Sequence, residues 1–391
     1  MRSRNKKLGD VVDFIRGITF KPEDVVGVDK RDAVVCMRTK NIQEELEVND
    51  LIAVPESFIR REELFLQTGD ILISSANSWN LVGKVARVPV LTYRATAGGF
   101  IAIVRAKPGA IEPEYLYRWL SSDANQTAIR ACGRQTTNIS NLSVPRFLDL
   151  PITLPGWADQ VRAATILGKA DNLRRKRQEA IRLADEFLKA EFFDLVGDPV
   201  TNPRGWPERS ISEIGVVTTG NTPDRSIEAN FGNAIEWIKS DNINTPSHWL
   251  TVAREGLSAQ GMKGARKVSA GATLMTCIAG SPSCIGNVAM ADRRVAFNQQ
   301  INAVTAGDGI DPKFLYVLLL FSKARIQAAS TNSMKGMVSK GTLEKIRLIW
   351  PPKMLQERLV HVFDKVATLR SRMEDAGQLH LFTSLQAELL A

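Results

Sequence analysis

The sequence predicts a mixed α/β fold of the α+β class. It consists of two tandem copies of one globular domain and two long helices that pair antiparallel as a coiled-coil spacer. Three observations support this prediction: an internal duplication, matching strand and helix patterns in both halves, and a long proline-free segment after each half. A usual domain takes about 100–200 residues, so a chain of 391 residues has room for two. The predicted segments are residues 1–157 (globular), 158–197 (helix), 198–352 (globular) and 353–391 (helix), with the copies related by an approximate two-fold axis.

The duplication is visible as blocks that recur in the same order. The matched pairs are LGDVVDFIRG (8–17) with ISEIGVVTTG (211–220), TGDILISS (68–75) with AGATLMTC (270–277), LVGKVA (81–86) with CIGNVA (284–289), and PEYLY (113–117) with PKFLY (312–316). The separation of matched residues changes only from 203 near the start to 196 near the end. Conserved order with small insertions indicates a tandem duplication, and the period is far longer than that of solenoid repeats.

Within each copy, short patterns predict both strands and helices. ILISS and VGKVARVPV are rich in β-branched residues and bounded by turn formers, which is typical of strands. PEYLYRWLSS and PKFLYVLLLFSKARIQAA each carry proline near the first turn, which is typical of helix starts.

The two long segments lack proline over residues 160–193 and 355–391. Apolar residues recur there at alternating spacings of three and four, the heptad pattern of paired helices. The predicted heptad row is Ile166, Ala170, Leu173, Ala180, Ala184 and Phe187 in the first helix, and Leu355, Leu359, Val362, Val366, Leu369 and Met373 in the second. A long amphipathic helix needs a partner for its apolar stripe, and the other copy's helix is the obvious one. Packing of each helix on its own domain remains the alternative.

Composition and motifs narrow the classes of function. The net charge of +9 makes a polyanion a plausible partner without demanding one. Four cysteines without a CxxC pair and only three histidines argue against a structural zinc site and against disulfides, so a cytoplasmic location is expected. No dinucleotide-binding, P-loop, GxSxG or HExxH motif occurs, so we expect no catalytic residue, bound cofactor or metal in this chain.

Polar, non-acidic loops in both copies are candidates for nucleic-acid contact. Arginine can grip guanine, Asn or Gln can grip adenine, and Lys, Ser and Thr suit phosphate oxygens. The first copy's candidates are Asn77, Ser78, Trp79, Asn80, Lys84, Arg130, Arg134, Gln135, Thr136 and Asn138. The second copy's are Ser281, Ser283, Asn287, Asn298, Gln299, Gln300, Asn332, Ser333, Lys335 and Lys340. The alternative for every one of them is a simple turn or solvated position.

A basic run, Arg174-Arg175-Lys176-Arg177, lies on the first long helix. Three interpretations stay open: contact with DNA between two binding heads, docking of an acidic partner, or a solvated helix face.

The chain resembles the specificity subunit of Type I restriction-modification systems. The resemblance lies in the LGDVVDFIRG and ISEIGVVTTG openings, the GDILISS and VGKVA blocks with their partners ATLMTC and CIGNVA, and the NQQINAV stretch at 298–304. The helix openings ADQVRAATILGKADNLRRKR and LQERLVHVFDKVATLRSRM complete it. It covers nearly the whole chain through the order and duplication of its blocks.

The resemblance implies a non-catalytic subunit that reads double-stranded DNA. Residues 1–157 and 198–352 would be target recognition domains, each reading one half of an asymmetric bipartite site. The helices would be the spacer that docks two methyltransferase subunits, which carry S-adenosylmethionine. Restriction subunits, which use ATP and Mg²⁺, would join them.

The two copies also depart from each other. Gly69-Asp70 of the first becomes Gly271-Ala272 in the second, and Asn298-Gln299-Gln300 of the second aligns with Ala97-Gly98-Gly99 of the first. Such differences suggest unlike half-sites.

A coiled-coil scaffold whose globular ends bind proteins is the alternative function. Such ends need exposed apolar anchors, for which Trp79 and Trp249 are the candidates.

Overall fold

The computed structural model describes residues 4–135, 139–331, 336–374 and 377–390. It divides into two compact units: unit 1 is Met1–Lys176 with Ala376–Ala391, and unit 2 is Arg177–Asp375. Each unit therefore holds one globular copy together with two pieces of helix, whereas the sequence assigned helices and globular copies to separate segments.

Unit 1 alternates short strands with short helices. Its strands are Arg4–Lys7 (β1), Val12–Arg16 (β2), Ala33–Met37 (β3), Ile52–Pro55 (β4), Ile71–Ser74 (β5), Ala76–Asn77 (β6), Val85–Arg87 (β7), Ala95–Ala97 (β8), Ile101–Ala106 (β9), Gly133–Gln135 (β10), Ser140–Leu142 (β11) and Pro151–Leu154 (β12). Its helices are Leu8–Val11 (α1), Pro113–Ser121 (α2), Asp123–Ala131 (α3), Val144–Leu148 (α4) and the first half of Trp157–Val196 (α5).

The core of unit 1 lies on both faces of an antiparallel sheet with strand order β2-β9-β5-β7. All four residues of β5 are buried, which explains its continuous apolar run ILIS. One face packs against α2, and the other packs against the small sheet β4-β3-β8. Helix α2 begins where Glu112 accepts a hydrogen bond from Tyr115 N at 2.6 Å and proline fills the first position.

Unit 2 repeats this plan. Its strands are Glu208–Ser210 (β13), Gly215–Thr219 (β14), Phe231–Ile238 (β15), Gly256–Leu257 (β16), Lys267–Val268 (β17), Thr273–Thr276 (β18), Ile278–Ala279 (β19), Val288–Met290 (β20), Val295–Phe297 (β21), Ile301–Ala306 (β22), Gly336–Met337 (β23) and Arg347–Ile349 (β24). Its helices are Ile211–Ile214 (α6), Ala259–Gly264 (α7), Pro312–Phe321 (α8), Lys323–Ala328 (α9), Lys340–Lys345 (α10) and Lys353–Met373 (α11). The last helix of the chain, Gly377–Leu390 (α12), belongs to unit 1.

The internal duplication is confirmed by the strand pairing. The sheet β14-β22-β18-β20 has the connectivity and antiparallel pairing of β2-β9-β5-β7, and β13 pairs with β24 as β1 pairs with β12. In each copy one parallel pair joins equivalent strands, β3 with β8 and β15 with β21. The mixed α/β fold in two tandem copies is therefore the fold predicted from the sequence.

The long helices pack antiparallel within unit 2. Asp185 of α5 forms an ion pair with Arg370 of α11, and Glu191 of α5 forms one with Arg358. Residue numbers therefore increase along α5 in the direction in which they decrease along α11. Leu188 and Phe192 of α5 share one apolar cluster with residues of α11. In unit 1, α12 contributes to the cluster that contains the first turns of α5. Terminal and central helices thus pack together, as predicted.

The predicted heptad row needs a correction. Ala184, Leu359, Val362 and Val366 are buried as expected, and Ile166, Ala170, Ala180, Leu355 and Met373 are half-buried. Leu173, Phe187 and Leu369, however, are 50%, 53% and 37% exposed. Polar residues occupy the neighbouring inner positions: Asp171 and Arg370 are 5% and 3% exposed because ion partners satisfy them. A hydrophobic pattern cannot identify such positions.

Within the described part of the chain, no helix has both the length and the apolar character that crossing a bilayer requires.

The four cysteines differ in burial: Cys36, Cys132 and Cys277 are buried, and Cys284 is half-buried. Burial raises the pKa of Cys36 to about 12 and that of Cys277 to about 11, and it also raises the pKa of buried Cys132. Because the thiolate is the nucleophile, brief iodoacetamide treatment of the native protein at pH 8 is expected to modify the half-buried Cys284 first. Intact-mass spectrometry should show one adduct, and none in the Cys284→Ser variant. Rapid labelling of several thiols would contradict these burial assignments.

Candidate nucleic-acid interface

A small sheet in unit 1 brings the two candidate loops of the first copy together. Strands β10, β11 and β6 pair in that order, so Arg134 stands opposite Asn141, and Asn77 stands opposite Ser140. Asn77 donates to Ser74 Oγ at 3.2 Å and accepts from Ser78 N at 2.8 Å, which holds the start of the loop. Loops separated by about 50 residues in the sequence thus form one surface.

The exposed side chains of this surface are polar, aromatic and aliphatic, the last being Leu81 and Ile139, which are 44% and 49% exposed. Ser78 and Asn80 are exposed, and Trp79 is 40% exposed. A Cβ atom at Gly133 would lie 3.5 Å from Cζ3 of Trp79, so the indole covers the start of β10. Trp79 joins the two loops of the surface and still presents part of its ring to solvent.

Two other candidates of the first copy engage their own domain. Lys84 donates to Gln43 Oε1 at 2.8 Å, beside the acidic pair Glu44-Glu45. Arg130, on α3, lies 3.5 Å from Thr127 Oγ1. Lys84 therefore already has a hydrogen-bond partner, the neutral Gln43 amide, within its own domain.

Unit 2 carries the equivalent surface on β19 and β23. Ile278 pairs with Met337 and Ala279 with Gly336. Ser281 and Ser283 follow β19, are exposed, and lie 2.8 Å apart through their hydroxyls. Asn287 occupies the position of Lys84 and donates to Asn244 Oδ1 at 2.8 Å, while accepting a hydrogen bond from Lys323.

The structure of the turn before β22 contradicts two expectations from the sequence. One is Asn298 as a candidate contact, and the other is the alignment of residues 298–300 with the first copy. Asn298 is 7% exposed, and its Oδ1 accepts from Gln300 N at 3.1 Å, so it closes the turn instead of facing a ligand. Gln299 is exposed and Gln300 is half-buried. Strands β9 and β22 begin at equivalent residues, so the residues matching 298–300 are 98–100, one position later than the sequence alignment placed them.

This shift reveals a residue that sequence reasoning missed. Phe100 is the counterpart of Gln300 and is 65% exposed. The sequence could have shown this equivalence. The strand residues FIAIVRA (100–106) align with QINAVTA (300–306), and this alignment pairs Phe100 with Gln300.

Some candidates lie outside the described residues, namely Thr136, Asn138, Asn332, Ser333 and Lys335. Gln135 is described only as the last residue of β10. Lys340, at the start of α10, is exposed and lies 3.5 Å from Glu344.

The basic run is partly engaged by carboxylates of unit 1. Arg174 and Arg175 each lie 3.0 Å from the buried Asp171, and Arg175 also pairs with Glu45. Lys176 is exposed and Arg177 is half-buried. The first two arginines therefore attach α5 to its own globular copy, and the three interpretations above stay open for the exposed Lys176.

Unit 2 has a buried polar cluster where α5 meets the globular copy. Arg370 pairs with Asp185, and His248 Nε2 lies 3.1 Å from Asp185 Oδ1 while its Nδ1 lies 2.8 Å from the Tyr316 hydroxyl. Burial opposes ionisation of Asp185, but the hydrogen bonds from His248 and Arg370 outweigh it and hold the pKa of this carboxyl below its usual value. The cluster fixes α5 and α11 on their domain.

One difference between the copies is structural. Asp70 is 3% exposed and binds Arg105 through two hydrogen bonds of 2.7 Å. The equivalent residues in unit 2 are Ala272 and Thr305, so both partners are replaced together. The aspartate-to-alanine difference therefore reflects an ion pair that is present in the core of unit 1 and absent at the equivalent residues of unit 2. It does not indicate a difference in DNA contacts.

Across the described ranges, no group of three or more His, Cys, Asp or Glu side chains is arranged to hold a metal ion.

Two equivalent α+β units, each presenting an exposed loop surface beside its small sheet, define a protein built from a duplicated domain. A sequence profile of the Type I restriction modification DNA specificity domain matches residues 3–183 and again residues 203–376. The chain belongs to this family.

Relatives agree with this assignment. The specificity subunit of the Type I restriction enzyme HindI from Haemophilus influenzae is 28% identical over 188 residues, covering 44% of this chain and 38% of that protein. The EcoKI specificity subunit of Escherichia coli is 24% identical over 196 residues, 49% of this chain and 42% of that protein. The putative MjaX specificity subunit of Methanocaldococcus jannaschii is 22% identical over 396 residues, 94% and 88% of the two chains. The HindI and EcoKI matches thus span less than half of those proteins.

Among solved structures, the S subunit of a Type I restriction-modification system from M. genitalium is similar in fold. The TM-score is 0.63, the sequence identity is 12%, and the match covers 100% of this chain and 96% of that one. At this identity the likeness concerns the fold alone.

Proposed function

We propose that this chain is the DNA-reading specificity subunit of a Type I restriction-modification complex. Unit 1 reads one half of an asymmetric bipartite site, and unit 2 reads the other. Two methyltransferase subunits dock on the helices, and restriction subunits join the complex. The chain itself carries out no chemistry.

The observation that carries this proposal is the repetition of one surface in both units. In each, a two-residue strand, β6 or β19, leaves the main sheet and pairs with a strand contributed by a distant loop. Polar side chains that can bond to base edges or phosphates lie on it. The side chains differ between units, as expected if the half-sites differ. The net charge of +9 favours a polyanionic ligand.

Docking of the methyltransferase subunits is supported by exposed apolar side chains on the long helices. In unit 2, Leu183 and Phe187 of α5 are 51% and 53% exposed, one turn apart. In unit 1, Trp157 and Val161 of α5 are 49% and 42% exposed with the same spacing. Apolar rows left open on a helix suit helix-mediated partners.

The cofactors belong to the partners in this proposal. S-adenosylmethionine supplies the methyl group in the methyltransferase subunits, and ATP with Mg²⁺ serves the restriction subunits. The role of this chain is to carry both reading surfaces on one polypeptide, so that the second contact gains from the high effective concentration set by the first.

Selection from a randomised duplex library tests the proposal. The purified full chain is expected to enrich sequences with two short specified segments at a fixed separation. Its affinity for an enriched duplex should fall with salt, with a log–log slope of about −0.9 per neutralised phosphate. Absence of enrichment, or a flat salt response, would overturn DNA reading.

The scaffold alternative loses one of its anchors. Trp249 is half-buried, and its ring centroid lies 6.3 Å from that of Phe363 in the core of unit 2. Trp79 remains partly exposed, together with Leu81 and Ile139 on the same surface.

A further inference from the structure

The turns that precede β9 and β22 have the same backbone geometry. Ile101 N donates to Gly98 O at 2.8 Å, and Ile301 N donates to Asn298 O at 3.2 Å. The carbonyl of Phe100 accepts from Ser75 N at 2.9 Å, and that of Gln300 accepts from Cys277 N at 2.8 Å. Each turn is therefore bonded to the segment leading into β6 or β19, beside the candidate surface of its unit.

The side chains on these two turns differ in kind. Unit 2 has the exposed Gln299 and the half-buried Gln300, whose Oε1 atoms accept hydrogen bonds from Thr222 Oγ1 and Asn298 Nδ2 and leave the amide N–H groups as donors. In unit 1 the first two positions are glycines with little space around them: a Cβ atom would lie 3.2 Å from Met37 O at Gly98 and 3.3 Å from Ile18 O at Gly99. Phe100 is therefore the single side chain that this turn of unit 1 offers.

Phe100 is the most exposed aromatic residue in the described part of the chain, ahead of Phe187 at 53% and Trp157 at 49%. Its side chain is 65% exposed, whereas the rings of Phe147 and Tyr115 in the same unit are fully buried. A large apolar side chain kept in water on a bonded, well-defined turn indicates a contact surface.

Positive charge adjoins this turn. Ile18 and Thr19, which touch Gly99, form part of a surface pocket of about 660 Å³ that also includes Arg16, Arg60 and Arg61. Arg16 and Arg60 are exposed. An anionic ligand that also offers an apolar group fits this combination of exposed arginines and an exposed ring.

Duplex DNA satisfies both requirements through phosphates and thymine. The C5-methyl of thymine is the one apolar group on a base edge in the major groove, and phenylalanine can contact it. Glutamine reads adenine in the same groove. Equivalent turns carrying phenylalanine in one unit and glutamine in the other thus suit different bases with one docking geometry.

We infer that Phe100 is a specificity-determining residue of unit 1 that contacts a thymine methyl group in its half-site. This inference rests on the proposed function. Arg16 and Arg60 supply positive charge for the flanking phosphates.

The test uses the purified full chain and a duplex enriched from the randomised library. Thymines of one segment are replaced singly by deoxyuridine, which removes only the methyl group. One replacement is expected to weaken wild-type binding about fourfold, the equivalent of one buried methyl group. The Phe100→Ala variant should bind the thymine and uracil duplexes equally, and selection with it should lose preference at that position only.

Two control variants fix the interpretation. Val90→Ala, which trims another exposed apolar residue of unit 1 (79% exposed), should keep the wild-type preference. Gln299→Ala should change the other segment and leave the deoxyuridine effect intact. If Phe100→Ala keeps the deoxyuridine effect, or weakens all duplexes alike, the inference is overturned while DNA reading stands. If the wild-type chain enriches nothing, DNA reading itself fails.

Discussion

Replacing Phe187 by glutamate is expected to weaken binding of the chain to the methyltransferase subunits of its system by about 30-fold or more. Phe187 is 53% exposed on α5 and shares its face with Leu183, so the change costs little in folding but places a charge in the proposed contact. Aromatic anchors at the centre of an interface are worth at least about 2 kcal/mol each. The loss of affinity is measured by titrating the purified chain with the methyltransferase subunits and monitoring complex formation by analytical ultracentrifugation.

Gln178→Glu is the matched control. It adds the same charge to α5 half a turn around the helix from Phe187, at an exposed position of unit 2. Its affinity for the methyltransferase should remain within about twofold of wild type, because its face lies away from the apolar row. Equal assembly of the Phe187→Glu variant and the wild type would remove this face of α5 from the docking surface.

Replacing Asp70 by alanine is expected to destabilise unit 1 by about 3–5 kcal/mol, the usual cost of breaking a buried ion pair. Arg105 is only 17% exposed in its side chain and would lose both of its bonds to the carboxylate. It would keep only the bond from its Nη2 to Phe65 O. Hydrogen exchange of β5 and β9 measures the effect in unit 1 alone, which avoids treating a two-unit chain as two-state.

The chain itself supplies the compensating change. Unit 2 has Ala272 and Thr305 at these positions, so Asp70→Ala combined with Arg105→Thr is expected to recover most of the lost stability. Removing both charges avoids leaving one buried and unpaired. A double variant as unstable as Asp70→Ala would show that the pair has another role.

This ion pair shows why the sequence comparison misled at that position. Between the copies, an aspartate replaced by alanine appeared as a difference in a recognition block. Only the strand register places Asp70 against Arg105 and Ala272 against Thr305. The difference is then a paired substitution within the core.

The candidate surface was predictable in part. Polar loops after ILISS and after the second helix of the first copy were visible in the sequence, but their meeting in the β10-β11-β6 sheet was not. The sequence comparison also missed Phe100 as a candidate. It paired Gln300 with Gly99, one residue away from the correct partner, Phe100. Turns carry little hydrophobic periodicity, so their register follows from the strands that flank them.

The sequence by itself determined the duplication and the α+β class, and it located strand β5 and the starts of α2 and α8. These depend on local patterns that each copy repeats, such as the apolar run of β5 and the proline at the start of α2. Tertiary structure alone decided which face of each long helix is buried. Asp171 and Arg370 lie inside while Leu173 and Leu369 lie outside, because a charge can be buried where a partner from a distant segment neutralises it. Hydrophobicity along one helix contains no information about that partner.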